Sequence, residues 1–291
     1  MRTRWMAVAA LAAVAGVSLL AVACGDDDSS SSSSSGGKLT AATVDCKGLG
    51  VDAPARIKSA GKLVVASDLS YAPVDFTKEG TSDPIGLDAD IANCVAQAWG
   101  VKAQINNTPF DAIIPALTSK QADVIMSAMS VTDDRKKQVD FVEYFNAGSG
   151  ILVKDSNPGK INSIADLCGK KVAIQVGTIQ IDEAAAQNDK CGGKKIETQT
   201  FEQNTDTIQA VASGRADAAL MDYPVAVYAE KTVKGTKRVG DQFDSGPYGI
   251  AIRKDDTEVS SALSKAVKAM QDKGQMDTIL KYWDLAAGKL K

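Results

Sequence analysis

From Lys62 onward the sequence alternates short apolar runs with amphipathic stretches, and only a layered α/β body buries both kinds of face. "KLVVASD" (62–68) reads as a strand, and "GLDADIANCVAQAWG" puts Ile91, Cys94, Val95 and Ala98 at helical spacing. "PFDAIIPALTSKQADVIMSAMS" predicts a helix that tolerates Pro115 near its first turn, then a buried strand around Val124, Ile125 and Met126. The rhythm returns in "KVAIQVGT" (171–178) and in "TIQAVASGRADAALMD" (207–222), a helix, a Gly214 C-cap and a strand. Near the end, Val259, Leu263, Val267 and Met270 share one helical face ahead of "QMDTILKYWDL". "ALTSKQADVIM" (116–126) and "AVASGRADAAL" (210–220) agree at four of eleven positions, which predicts two lobes of similar build, the second starting near residue 150.

A chain of 291 residues, 44% hydrophobic and 24% charged, is long enough for two cores. A formal net charge of −3 without a basic block excludes a nucleic-acid partner, which needs clustered Lys and Arg. Arg2 and Arg4 precede an apolar run from Trp5 to Ala23, so residues 1–23 read as an export signal; an uncleaved membrane anchor is the competing reading. In "LAVACGDDD" small residues precede Cys24, as in the lipobox of bacterial lipoproteins, although Ala21 stands where leucine is usual. Cleavage there makes Cys24 a lipidated N-terminus on the outer face of the membrane and, with Arg2 and Arg4 gone, takes the net charge to −5. "GDDDSSSSSSSGG" cannot bury apolar surface, so residues 24–44 are expected to be a flexible tether. No membrane span or further domain is expected after the folded body, which sets receptors and sensor kinases aside.

With Cys24 given to lipid, Cys46, Cys94, Cys168 and Cys191 remain, an even number that suggests two disulfides in an exported chain. Of three connectivities, Cys46 with Cys94 and Cys168 with Cys191 keeps each bond inside one proposed lobe. The chain has no histidine and no Cys-x-x-Cys, so neither a metal nor another cofactor is expected.

Ligands of open α/β sheets sit beyond the carboxyl ends of the strands. Those ends are Asp68, Ser127 to Ser130, Gly177 with Thr178, and Asp222. In "SAMSVTDDRKKQVDF" (127–141) Thr132 reads as a helix N-cap, yet Arg135 stands where a capping box carries Glu or Gln. A cation there opposes the helix dipole, so an anion is sought. Arg135 can hold a carboxylate through two N–H groups with help from Ser130, the Gly177–Thr178 turn offers backbone N–H donors, and Asp222 can accept an ammonium. Together they form a receptor for an amino-acid zwitterion. Singly, each has an ordinary role: Arg135 paired with Asp133, Asp134 or Asp140, Thr178 as an N-cap, Asp222 or Asp68 capping a turn, and Tyr71 or Phe110 packed in a core.

From about Lys62 to Trp283 the chain resembles the solute-binding proteins of polar amino-acid ABC transporters, bacterial family 3. The resemblance rests on "SYAPVDF", "GLDADIA", "FDAIIPALTSKQADVIMSAMSVTDDR", "VGTIQ", "GRADAALMD" and "GIAIRKDDTE", in the family's order and spacing. It implies a two-lobed periplasmic-binding-protein fold of type II, with residues 45–148 and 246–291 in lobe 1, 149–245 in lobe 2, and a hinge at "NAGSGIL" and "FDSGPYG". It assigns the ligand α-carboxylate to Arg135, Ser130 and Thr178, and the α-ammonium to Asp222 and the Ala128 backbone. Asp68, Tyr71, Phe110, Gln175 and Met221 would form the side-chain pocket. Ala128 and Ile179 depart from the serine and threonine of some basic-amino-acid binders. The implied protein is a monomer that closes on a free glutamine-like or basic amino acid and hands it to a permease with its ATPase. The alternatives are a cyclohexadienyl-dehydratase-like enzyme, or a binder of an acidic amino acid or opine; a surface interaction protein predicts no small ligand.

Overall fold

Helices and strands follow one another along the chain much as the hydrophobic pattern predicts. The computed structural model describes residues 40–290, so the expected signal segment, Cys24 and the Ser-rich stretch lie outside the described residues. The first half contains α1 (Ala55–Ala60), β1 (Lys62–Ser67), β2 (Ser70–Tyr71), β3 (Asp75–Thr77), β4 (Pro84–Ile85) and α2 (Leu87–Ala98). It continues through β5 (Lys102–Asn107), α3 (Ile113–Thr118), β6 (Val124–Ile125) and α4 (Asp133–Lys136). The long strand β7 (Val139–Lys154) leads into β8 (Lys171–Gln175), α5 (Ile179–Lys190), β9 (Glu197–Phe201), α6 (Asn204–Ser213), β10 (Ala218–Asp222) and α7 (Tyr223–Thr232). A second long strand, β11 (Thr236–Arg253), returns, and α8 (Thr257–Asp272) and α9 (Gln275–Tyr282) complete the first half.

Eight strands form one sheet in the order β5-β1-β6-β11-β7-β10-β8-β9. β1 is parallel to β5 and β6, and β8 is parallel to β9 and β10. Parallel neighbours need crossovers, which α2 and α3 supply on one side and α5 and α6 on the other. The two halves share a finer detail. The Asp123 carboxylate accepts the Val64 N–H at 2.9 Å, and the Asp217 carboxylate accepts the Lys171 N–H at 2.8 Å. Both are the aspartate of the repeated "AD", each tying a helix-turn-strand unit to the start of the neighbouring strand.

β7 and β11 pair antiparallel and carry the sheet from one half to the other, with register shifts between Val239, Phe243 and Gly246 and again at Tyr248 and Gly249. These shifts fall beside the expected hinge segments. A Cβ on Gly148 would stand 2.4 Å from the Phe243 carbonyl oxygen, so that glycine is required by the close approach of the strands. Val259, Leu263, Val267 and Met270 are all buried under α8. Cys46 is bonded to Cys94 and Cys168 to Cys191.

One boundary is corrected. Residues 40–44, expected in the tether, are docked: the Ala42 N–H donates to the Asp90 carboxylate at 2.9 Å, and the Tyr282 hydroxyl to the Thr40 carbonyl at 2.8 Å. Asp90 is buried and needs donors, and Ala42 joins the Trp283 indole N–H, 2.7 Å away, in supplying them. No helix among the described residues is long and apolar enough to cross a membrane.

Candidate functional site between the halves

The carboxyl ends of β1, β6, β8 and β10 converge on one pocket. Asp68, Tyr71, Phe110, Ala128 and Ser130 wall it from the first half, and Gln175, Thr178 and Asp222 from the second.

Arg135 lines the pocket from the first half. Its backbone N–H donates to the Thr132 hydroxyl at 3.2 Å, so the cap forms, while the guanidinium leaves the helix for the pocket. Nη1 donates to the Ser130 carbonyl at 2.8 Å, Nη2 to the Gly177 carbonyl at 3.0 Å, and the plane lies over the Phe110 ring, 5.3 Å from its centroid. Asp133 and Asp134 pair with Lys136 and Lys137, and Asp140 with Lys254. Among the described residues no carboxylate forms an ion pair with Arg135, so a cation poised on two carbonyls and a ring can still receive an anion. Burial pulls its pKa down, opposed by the Asp222 and Asp182 carboxylates. The Thr178 hydroxyl donates to the Gln175 carbonyl at 2.7 Å; what the second half offers an anion here is the N-terminal N–H groups of α5.

In the same pocket Asp222 is held from three sides. Oδ1 accepts the Gln180 amide at 2.7 Å, Oδ2 accepts the Tyr248 hydroxyl at 2.5 Å, and the Asp222 N–H donates to the Tyr71 oxygen at 2.9 Å. Burial raises its pKa, while these donors and Arg135 favour the charged form. Ala128 faces the pocket with φ of +45°, a left-handed conformation that costs an alanine on the order of 1 kcal/mol. Asp68 accepts the Ser70 N–H at 2.9 Å on Oδ1, and the Phe110 N–H at 3.2 Å and the Gln175 amide at 2.7 Å on Oδ2. Its pKa is raised by burial against these bonds. Asp68 therefore both caps its turn and faces the pocket.

A cation and an anion facing one cleft agree with the comparisons. The model of the bacterial extracellular solute-binding proteins, family 3, matches residues 63–286. The chain belongs to this family. The arginine-binding extracellular protein ArtP of Bacillus subtilis (strain 168) is 32% identical over 225 residues, covering 76% of this chain and 86% of that one. An ancestral arginine-binding protein solved with arginine is 36% identical with a TM-score of 0.72, covering 77% of this chain and 98% of that one. The ancestral amino acid-binding protein AncCDT-1, a precursor of cyclohexadienyl dehydratase, is 38% identical with a TM-score of 0.72, covering 78% and 97%. Other relatives are named for lysine/arginine/ornithine, histidine, glutamine and cystine. The fold is the two-lobed one of the family's solved members.

Within this family 3 chain, the structure brings together every residue singled out for the pocket except Met221. Met221 lies in the main hydrophobic cluster with 1% of its surface exposed. Successive side chains of β10 point to opposite faces, so with Asp222 turned to the pocket Met221 must turn to the core. Ser127, Ile179 and Gln180 also line the pocket. Gln180 lay inside "VGTIQ" as a signal; Tyr248, which holds Asp222, had none.

Proposed function

We propose that this family 3 protein is the extracytoplasmic receptor of an ABC importer, and that it captures one polar or basic amino acid by closing its lobes. The observation that carries the reading is one interlobe pocket that holds both Arg135, which among the described residues has no carboxylate partner, and the buried Asp222. Arg135, Ser130 and the Thr178 turn hold the α-carboxylate, and Asp222 with the Ala128 backbone holds the α-ammonium. Tyr71 and Phe110 cover the side chain, and Asp68 and Gln175 meet its polar end. An acidic carboxylate there suits an arginine-, lysine- or ornithine-like cation or a glutamine-like amide, in keeping with the names of the relatives. Lobe boundaries lie near residues 148 and 246, Cys24 carries the lipid anchor, and the monomer delivers its ligand to a permease and its ATPase.

The test is a thermal-shift screen of the purified protein against the twenty amino acids, ornithine and citrulline. A ligand at 100 times its dissociation constant adds about 2.7 kcal/mol, a shift of several degrees. Arg135→Lys keeps the charge but loses the planar fork, so binding weakens at least tenfold. No shift with any amino acid sinks the reading. The likeness to a dehydratase precursor favours one other outcome, turnover of a cyclic carboxylate; the pocket walls include no glutamate, and binding without product argues against it.

A further inference from the structure

We infer that Asp88 is a positioning residue of the binding site: its carboxylate, which takes the Ala128 N–H, fixes the Ala128 backbone in the left-handed turn that faces the pocket. The inference rests on the amino-acid-binding reading above. Neither Asp75 nor Asp88 lines the pocket, yet both are buried, with 1% of their surface exposed. Asp88 opens α2, where the helix dipole favours a carboxylate. Its Oδ1 accepts the Tyr144 hydroxyl at 2.6 Å, and its Oδ2 accepts the Ala128 N–H at 2.8 Å. That second bond draws in the amide of the one pocket residue outside glycine that combines a wall position with a positive φ.

Asp75 completes the clamp. Its Oδ1 accepts the Ser67 hydroxyl at 2.6 Å, while its Oδ2 is buried without an N–H or hydroxyl donor and lies against the Asp88 carboxyl. Two buried carboxyls in contact bond only when one carries a proton, because paired negative charges repel. The donors from Tyr144 and Ala128 keep the charge on Asp88, so the proton sits on Asp75. Burial raises both groups, Asp75 well above the carboxylate range and Asp88 to about 6, and Asp68 and Tyr144 are the other ionisable groups facing Asp75. The pair spans two strand ends at once. Ser67 precedes Asp68, whose N–H donates to the Ser127 hydroxyl at 2.9 Å, and Ser127 precedes Ala128. A carboxyl pair outside the pocket thereby sets the register of β1 against β6 where they meet the ligand.

Affinity for the amino acid found in the screen, thermal stability and amide hydrogen exchange are measured on the full protein and its variants. Asp88→Ala is expected to weaken binding at least tenfold. Asp88→Asn, whose side-chain oxygen still takes the Ala128 N–H while its amide meets the Tyr144 oxygen, regains most of that loss. Adding Ala128→Gly to Asp88→Ala recovers at least threefold, because glycine adopts this φ without being held. A role in core stability alone would lower the melting temperature without the glycine restoring affinity, and that result, or unchanged affinity in Asp88→Ala, overturns the inference. Exchange in the unaltered protein decides it without a ligand or a folded variant: the Ala128 amide is expected to be protected, and exchange at the rate of an open turn overturns the pin. Absence of any amino-acid binding overturns the proposed function and leaves exchange to judge the pin.

Discussion

Behind Asp222, Glu183 carries one carboxyl oxygen bonded to the Ser149 hydroxyl at 2.7 Å and another buried without a donor among the described residues; the Gln180 amide bridges Ser149 to Asp222. Burial first, then the Asp222, Asp244 and Asp182 carboxylates, raise the Glu183 pKa from 4.5 to about 7, against the Ser149 bond. Between those values the folded protein keeps a proton that the unfolded chain has released, so stability falls as pH rises through this window. Glu183→Gln keeps an acceptor for Ser149 and removes the charge. Its melting temperature should exceed that of the unaltered protein at pH 8, by an amount equivalent to about 1–2 kcal/mol once solvent screening of a partly exposed group is allowed for. The advantage should shrink to nothing by pH 4.5. Calorimetry across pH checks this, and a difference that does not vary with pH removes the charge as its cause. Such groups could not be read from the sequence. Arg135 was legible because a cation in a first helical turn conflicts with the dipole, a local signal. Asp88 and Tyr248 act on residues 40 and 26 positions away, and only the fold makes those pairs.

The helix-turn-strand units were legible because each carries its own period of apolar residues and its own stop at a residue such as Gly214, which has φ of +79°. Strands β2, β3 and β4 were not, since two or three residues hold too little alternation to show a period. The tether boundary failed at residues 40–44 because the partner that fixes them, Asp90, lies on α2. Disulfide pairing followed from the lobes, and burial now separates the two bonds. Cys46 and Cys94 are 0% and 4% exposed, whereas Cys168 and Cys191 are partly open to solvent. Their loops of 48 and 23 residues correspond to about 4 and 3 kcal/mol of lost unfolded-state entropy. Thiolate attack requires access, so mild reductant under native conditions should open Cys168–Cys191 first, with Cys46–Cys94 alkylated only on unfolding. Mass spectrometry of alkylated peptides reads the order, and earlier labelling of Cys46 and Cys94 would contradict it.

Across the whole molecule, the proposed capture by closure makes binding strength depend on how readily the halves shut as well as on what the pocket touches. Besides Arg135 on Gly177 and Gln175 on Asp68, the Asn204 N–H at the start of α6 donates to the Ser70 hydroxyl at 3.0 Å, and Lys231 pairs with Asp284 at 2.8 Å. The Lys231 pair is exposed on both sides and contributes at most about 1 kcal/mol. Ser70 is different, because it and Asn204 are buried while Ser70 is outside the amino-acid pocket. In Ser70→Ala the Asn204 amide loses its acceptor only in the shut form, since water can satisfy it when the halves part. The shut state is then disfavoured by about 1–2 kcal/mol, which lowers apparent affinity roughly 5- to 30-fold by reducing the competent fraction. Titration combined with small-angle scattering should show this loss, together with the same compact dimensions as the unaltered protein once ligand saturates. Unchanged affinity would mean that the ligand's own contacts carry closure and that the rim between the halves adds nothing to capture.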